Sequence, residues 1–118
     1  MNDRQLNDIE QRALDTLLEG DGPVFHVLRA QARGAVVSKR TLTGVGFYVD
    51  FEPMLDQEPG PDMVVEGAYA TAPGATSPDV GFLLFVKGGQ LSVLEGYTTC
   101  DEWPSVGLDW TFSRIEVN

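Results

Sequence analysis

Residues Val80 to Thr98 have the sequence Val-Gly-Phe-Leu-Leu-Phe-Val-Lys-Gly-Gly-Gln-Leu-Ser-Val-Leu-Glu-Gly-Tyr-Thr. We interpret this stretch as two β-strands joined by a two-residue turn at Gly88 and Gly89. A primed turn requires positive φ at its centre, which glycine adopts most readily because it has no Cβ. The nearly continuous apolar run from Phe82 to Val86 is typical of a central strand that is covered on both faces. The hairpin therefore predicts the centre of a sheet.

Two helical patterns precede the predicted strands. Asn2 is placed to cap the first helix, with Gln5 three residues later, and apolar residues then recur at helical spacing. The acids of this helix, Glu10 among them, are expected on its solvent side. The second helix begins near Pro23, because proline suits the first helical position, and it ends at Gly34.

Alternating apolar residues predict four further strands, over residues 35–42, 45–52, 62–70 and 108–117. No two strands are separated by a helix, which favours a mainly antiparallel sheet over a doubly wound fold. We therefore expect an α+β fold in which two N-terminal helices pack on one face of an antiparallel sheet of about six strands. With 118 residues and no long linker, the sequence predicts a single domain over residues 1–118.

The chain carries a net charge of -10, and the charge is unevenly placed. Residues 29–40 hold four bases and no acid, whereas twelve acids and only two bases follow from Thr41 onward. A strongly negative field repels phosphate backbones, so we expect no nucleic-acid partner and favour a basic protein partner. The alternative is a charged surface that only keeps the protein in solution. Arg29 and Arg33 are expected to pair with neighbouring acids or, alternatively, to form an anion site.

Cys100 is the single cysteine, so no disulfide can form within these residues. Residues Met1 to Arg4 do not resemble a secretory leader, and the apolar runs are too short to span a bilayer. These features predict a cytoplasmic protein without a membrane partner.

Few side chains could carry catalysis. His26, the only histidine, could activate Cys100 as a nucleophile, although an exposed helix histidine and a partly buried cysteine are the ordinary alternative. Glu95 could pair with Glu66 for acid/base chemistry on a sheet face, or it could be an ordinary strand residue.

One histidine and one cysteine do not supply a zinc site. The acids Asp56, Glu58 and Asp62 match no calcium loop. We therefore assign no catalytic residue, no metal and no cofactor.

The segment after the hairpin is the best candidate for a binding surface. Tyr97, Asp101, Glu102 and Trp103 combine rigid aromatic contact area with carboxylates that select cationic partners. The alternative for Trp103 is that its indole covers the open end of the core.

Four segments of the chain carry a resemblance to known proteins: Thr41–Phe47 with its Gly-Val-Gly-Phe motif, Gly81–Val86, Leu94–Thr98 with Leu-Glu-Gly-Tyr-Thr, and Glu102–Pro104 with Glu-Trp-Pro. Together they resemble a group of short uncharacterised bacterial proteins. The resemblance covers most of the chain from the second helix onward, and it implies a compact bacterial protein without an assigned activity.

Three hypotheses follow. The first is a non-catalytic binding protein, for example an immunity or inhibitor protein that neutralises a basic toxin or enzyme. The second is a small-molecule binder or minor hydrolase with Glu95, His26 or Cys100 in a pocket between helices and sheet. The third is a homodimer formed through a strand edge.

Overall fold

The computed structural model describes residues 4–54, 59–71, 79–98 and 110–115. Two helices precede six strands, as the sequence predicts. The elements are α1 (Asp8–Leu17), α2 (Pro23–Arg33), β1 (Val37–Leu42), β2 (Gly46–Phe51), β3 (Met63–Thr71), β4 (Val80–Lys87), β5 (Gln90–Thr98) and β6 (Thr111–Arg114). The predicted α+β class is confirmed.

The six strands form one antiparallel sheet in the order β1-β2-β5-β4-β3-β6. The β4–β5 hairpin lies at the centre, and β1 and β6 form the two edges. Neighbours along the chain pair in β1–β2, β3–β4 and β4–β5, whereas β2 pairs with β5 and β3 pairs with β6. The chain therefore crosses the sheet twice outside its hairpins.

The turn between β4 and β5 has the predicted primed geometry. Gly88 and Gly89 have φ values of 59° and 79°, a region that side chains with a Cβ rarely adopt. The backbone N–H of Gly88 donates to Oδ1 of Asp62 at 2.6 Å, and the Gly60 N–H donates to the carbonyl of Gly88 at 3.1 Å. These bonds hold the segment before β3 against the turn.

The first helix begins later than the sequence analysis predicts. Its N-cap is Asn7, whose side chain accepts from the backbone N–H of Glu10 at 2.8 Å, while Glu10 accepts from the Asn7 N–H at 2.9 Å. The prediction of a cap at Asn2 is therefore wrong, because Arg4 to Asn7 are not helical.

The expected solvent position of Glu10 is also wrong. Its residue is 2% exposed, and Nε and Nη2 of Arg40 on β1 each donate to one of its carboxylate oxygens at 2.7 Å. A buried carboxylate is tolerated here because a planar guanidinium pairs with both of its oxygens.

Both helices pack on the same face of the sheet. Helix α1 contacts β3, β4 and β6, and α2 contacts β5. The core between the layers includes buried side chains of the helices (Leu14, Leu17 and Leu28) and of the sheet (Phe47, Val49, Phe82, Leu84 and Leu94). The Phe82 ring lies 6.3 Å from the ring of Phe47 and 5.6 Å from that of Phe112, measured between centroids.

Two polar side chains of α2 connect this helix to α1 and to the sheet. Nη1 of Arg29 donates to the carbonyls of Leu18 and Gly20, both at 2.7 Å, so this guanidinium stabilises the carboxyl end of α1. The side chain of Gln31 is buried; it donates to the carbonyl of Gly89 at 2.8 Å and accepts from the Leu91 N–H at 3.1 Å. Arg29 thus bonds backbone carbonyls, where the sequence analysis expected an acidic partner or an anion.

Within the described ranges, no helix is both long enough and apolar enough to cross a membrane.

Candidate functional site

The sheet has a second face, which none of the described helices or strands covers. Side chains alternate along a strand, so the neighbours of the core residues Val49, Leu84 and Leu94 point away from the helices. We call this the helix-free face. It consists of Tyr48, Asp50, Val64, Glu66, Tyr69, Leu83, Phe85, Val93, Glu95 and Tyr97.

Two tyrosines of this face flank a glycine. Tyr97 on β5 lies opposite Gly81 on β4, and Gly81 lies opposite Tyr69 on β3. A Cβ placed on Gly81 would overlap Cζ and the hydroxyl oxygen of Tyr97. The Tyr97 ring therefore crosses the sheet over Gly81, and only glycine leaves room for it.

Two carboxylates lie beside these tyrosines. Glu95 is the direct cross-strand partner of Leu83. Glu66 lies in a bulge of β3, where the register shifts between Val65 and Ala68, and so it faces the same leucine from the other side. The register therefore brings Glu66 and Glu95 to the two sides of one apolar residue.

The ionisation of Tyr97 reflects this arrangement. Burial raises the pKa of Tyr97 above its ordinary value of 10.0, and the nearby Tyr69, which also shares a hydrogen bond with Tyr97, raises the pKa further. The charges of Glu66 and Glu95 act in the same direction, because a tyrosinate beside two carboxylates is disfavoured. Tyr97 therefore lies near a second phenol and two carboxylates on the sheet surface.

The charge of this group is not offset by a cation among the described residues. Lys39 lies at the edge of the face, opposite Asp50 in the β1–β2 register, and Lys87 lies at the end of β4, four residues beyond Leu83. The ion pairs found in the described ranges involve Glu10, Glu52 and Asp8. Glu66 and Glu95 therefore give the centre of the face a negative charge.

Apolar surface continues from this group towards the other end of the strands. A shallow cleft of about 470 Å³ has Val64, Phe85 and Val93 in its lining, together with the polar residues Asp62, Lys87 and Ser92. A second cleft of about 430 Å³ shares Phe85 and Val93 and extends to Tyr48 and Asp50. Val64 is 51% exposed and Tyr48 is 40% exposed. Contiguous apolar surface of this kind marks an interaction site more often than scattered exposed residues do.

This face corrects one prediction from the hairpin. The apolar run from Phe82 to Val86 indicated a strand covered on both faces. Phe82, Leu84 and Val86 are buried under the helices, but Leu83 and Phe85 point to the helix-free face and are only half-buried. The run is continuous because both faces of β4 are apolar, although only one is covered by the described elements.

Of the four predicted binding residues, the structure places Tyr97 on the helix-free face, where it is half-buried. Asp101, Glu102 and Trp103 lie outside the described residues.

The structure separates two of the residues considered for catalysis, His26 and Glu95. His26 is exposed on α2, in the helix layer, whereas Glu95 lies on the opposite face of the sheet, and Cys100 is outside the described residues. The separation follows from strand alternation, since Leu94 packs in the core and its neighbour Glu95 must point away. A cleft of about 520 Å³ at the helix ends is lined by residues of 4–11 and 32–36, and it holds neither side chain.

Part of this site is not evident from the sequence. Glu66 is predicted there only as a catalytic partner of Glu95, and Tyr69, Leu83 and Phe85 have no predicted role. The structure places Glu66 and Glu95 on either side of Leu83. Strand alternation could have identified Leu83 and Phe85. If Phe82, Leu84 and Val86 face the core, the residues between them must face the other side of the sheet. Simple alternation puts Tyr69 on the same side of the strand as Met63 and Val65, which is wrong because the bulge between Val65 and Ala68 turns Tyr69 to the helix-free face.

No group of three or more histidine, cysteine or acidic side chains in the described parts of the chain is arranged to hold a metal ion. No protein-family model, no curated protein and no solved structure matches the chain. The resemblance to short bacterial proteins therefore stays a prediction.

Proposed function

We propose that this chain is a non-catalytic protein-binding module that captures a basic partner on the helix-free face. The observation that carries the proposal is the composition of that face: tyrosines and aliphatic side chains surround Glu66 and Glu95, and no described cation neutralises these two carboxylates. Aromatic and apolar surface supplies contact energy, and the carboxylates select a cationic partner.

The size of the sheet sets an upper bound on the interface. Six strands at about 4.8 Å spacing are roughly 24 Å wide, and an eight-residue strand such as β4 is about 27 Å long. The product, roughly 650 Å² of projected area, is an upper bound because β1, β2 and β6 are shorter than β4, and it lies below the roughly 800 Å² that each partner contributes to a standard interface. The net charge of -10 would also accelerate the approach of a basic partner at low salt.

Electrostatics favours a cationic partner over a second copy on this face. Two copies packed face to face would bring Glu66 and Glu95 of one chain against those of the other, and unpaired like charges in an interface cost several kcal/mol. A homodimer through an edge strand, β1 or β6, is a separate proposal that light scattering tests.

In its concrete form, the proposal is a bacterial immunity or inhibitor protein that covers the active cleft of a basic toxin or enzyme. The proposed surface includes Asp101, Glu102 and Trp103, which follow β5 in the sequence. The cytoplasm is the proposed compartment, since the single cysteine excludes a disulfide within these residues.

Capture from the native cell with matched charge variants tests the proposal. The face variant, Glu66→Lys/Glu95→Lys, reverses the charge at the centre of the helix-free face. The control variant, Glu19→Lys/Asp21→Lys, makes the same change in net charge at exposed residues of the helix layer. We expect the unmodified chain and the control variant to capture a basic protein. The face variant should not capture it.

Two further variants complete the test. They change Glu102 and Trp103, predicted binding residues that lie outside the described residues. Trp103→Ala and Glu102→Lys should weaken the same complex. A partner that every variant retains equally, or that the control loses as fully as the face variant, would overturn the proposal, and so would the absence of any stable complex.

A further inference from the structure

The centre of the helix-free face combines an aromatic surface with paired carboxylates. The Tyr97 ring crosses over Gly81 towards Tyr69, and Glu66 and Glu95 lie on either side of Leu83 in the adjacent row. We name Glu66, Tyr69, Glu95 and Tyr97 the tyrosine–glutamate cluster. Its parts come from β3 and β5, the two strands that flank β4, so the rigid centre of the sheet holds them.

We infer that the tyrosine–glutamate cluster binds one arginine side chain of the basic partner, with the guanidinium over the Tyr97 ring and its N–H groups directed to Glu66 and Glu95. This inference deepens the proposed function and rests on it. It identifies the chemical group that the face selects.

Charge is the first reason for this assignment. The register places Glu66 and Glu95 on either side of Leu83, so a cation above this residue would be attracted to both carboxylates. Two described lysines belong to this side of the sheet, and neither lies beside Leu83. The register places Lys39 on the edge strand β1, against Asp50, and Lys87 lies at the end of β4, four residues beyond Leu83. The cation must therefore come from the partner.

Shape distinguishes arginine from lysine. A guanidinium is planar, stacks on aromatic rings and carries five N–H donors in a fixed fork that can reach two carboxylates at once. An ammonium is a compact and strongly hydrated point charge, which has no flat surface to place against the Tyr97 ring. A surface that offers a ring and two separated carboxylates matches the guanidinium.

The test uses short peptides in place of the partner. Acetyl-Gly-Gly-Arg-Gly-Gly-amide is titrated into the full chain, and binding is followed by the NMR shifts of the tyrosine rings and of the β3 and β5 amides. The matched probes replace arginine by lysine or by citrulline, which keeps the shape of the side chain without its charge. We expect the arginine peptide to bind several-fold more tightly than the lysine peptide and about 10-fold more tightly than the citrulline peptide.

Variants locate the site. Glu66→Gln/Glu95→Gln should weaken arginine binding about 10-fold, and Tyr97→Ala should weaken it several-fold, while Tyr97→Phe, which keeps the ring, should change it by less than about 3-fold. The control Glu19→Gln/Asp21→Asn, in the helix layer, should leave it unchanged. The conservative Gln and Phe variants keep the sheet intact, so their effect reports binding.

Equal affinities for arginine and lysine peptides, shifts confined to other parts of the molecule, or equal weakening in the face and control variants would overturn the inference. These outcomes are separate from failure of the proposed function. If Glu66→Lys/Glu95→Lys loses the basic partner while the peptides bind elsewhere, the partner proposal stands and the arginine site is refuted. If the arginine peptide binds the cluster but no partner depends on the face, the protein-binding proposal fails.

Discussion

Replacing Arg40 by methionine removes the partner of the carboxylate that is buried between α1 and β1. The side chain of Glu10 is 2% exposed, and that of Arg40 is 22% exposed. Methionine keeps much of the apolar stem of arginine but donates no hydrogen bond, so Glu10 retains only its bond from the Asn7 N–H. The change therefore leaves a buried negative charge without a cation.

The expected cost follows from the burial of the two partners. Breaking a buried ion pair on one side costs about 3–5 kcal/mol. Arg40 is partly accessible, so water can replace some of its bonds, and we take the lower end, about 3 kcal/mol. Domains of this size unfold with about 5–15 kcal/mol, and about 4 °C is lost per kcal/mol, which gives a fall in Tm of about 12 °C.

A double-mutant cycle measures the pair itself. Glu10→Gln removes the charge but keeps an oxygen for the capping box, and the partly exposed guanidinium left behind can be hydrated, so we expect a cost of about 1–2 kcal/mol. The double variant should be no less stable than Arg40→Met alone, because the orphaned charge is gone. The coupling free energy should then be about 1.5 kcal/mol or more.

Urea denaturation followed by circular dichroism supplies these free energies. Arg4→Met is the matched control, since Arg4 pairs with Glu52 at 2.5 Å on the surface and such pairs contribute about 0–1 kcal/mol. If Arg40→Met costs no more than Arg4→Met, or if the two changes at Glu10 and Arg40 are additive, the buried pair does not have the role assigned to it.

Three further predictions concern the sheet. Because the pKa of Tyr97 is raised in the folded state, the contribution of Tyr97 to the free energy of unfolding should be constant below about pH 10 and fall as the pH rises from there through the folded-state pKa. Tyr97→Phe should remove this part of the alkaline loss, and identical pH profiles from urea denaturation would contradict it. Gln31→Leu leaves the Gly89 carbonyl and the Leu91 N–H without their side-chain partner, so it should cost about 2–4 kcal/mol in urea denaturation. The partly exposed Gln11→Leu should cost less than about 0.5 kcal/mol, and equal costs would contradict the role of Gln31. Gly81→Ala should cost about 1–3 kcal/mol and shift the Tyr97 ring resonances, whereas Gly34→Ala, where a Cβ meets nothing, should do neither.

The elements could be predicted because each depends on neighbouring residues. The two-glycine turn, the alternation of β2 and the proline at the start of α2 are local features, and the structure confirms all three. The start of α1 could not be chosen in the same way. Asn2 with Gln5 and Asn7 with Glu10 both fit a capping box in the sequence, and Arg40, distant in the chain, pairs with Glu10 and favours the second.

The sequence by itself determined the α+β class, the central hairpin and a strongly acidic surface, because turn geometry, side-chain periodicity and charge are properties of adjacent residues or of composition. It also identified Tyr97 as a candidate contact residue. Only the tertiary structure decided the strand order, the face on which both helices pack and the convergence of Glu66, Tyr69, Glu95 and Tyr97. These depend on the pairing of strands that are distant in the chain, and a bulge in β3 or a shift of one residue would turn a side chain to the opposite face.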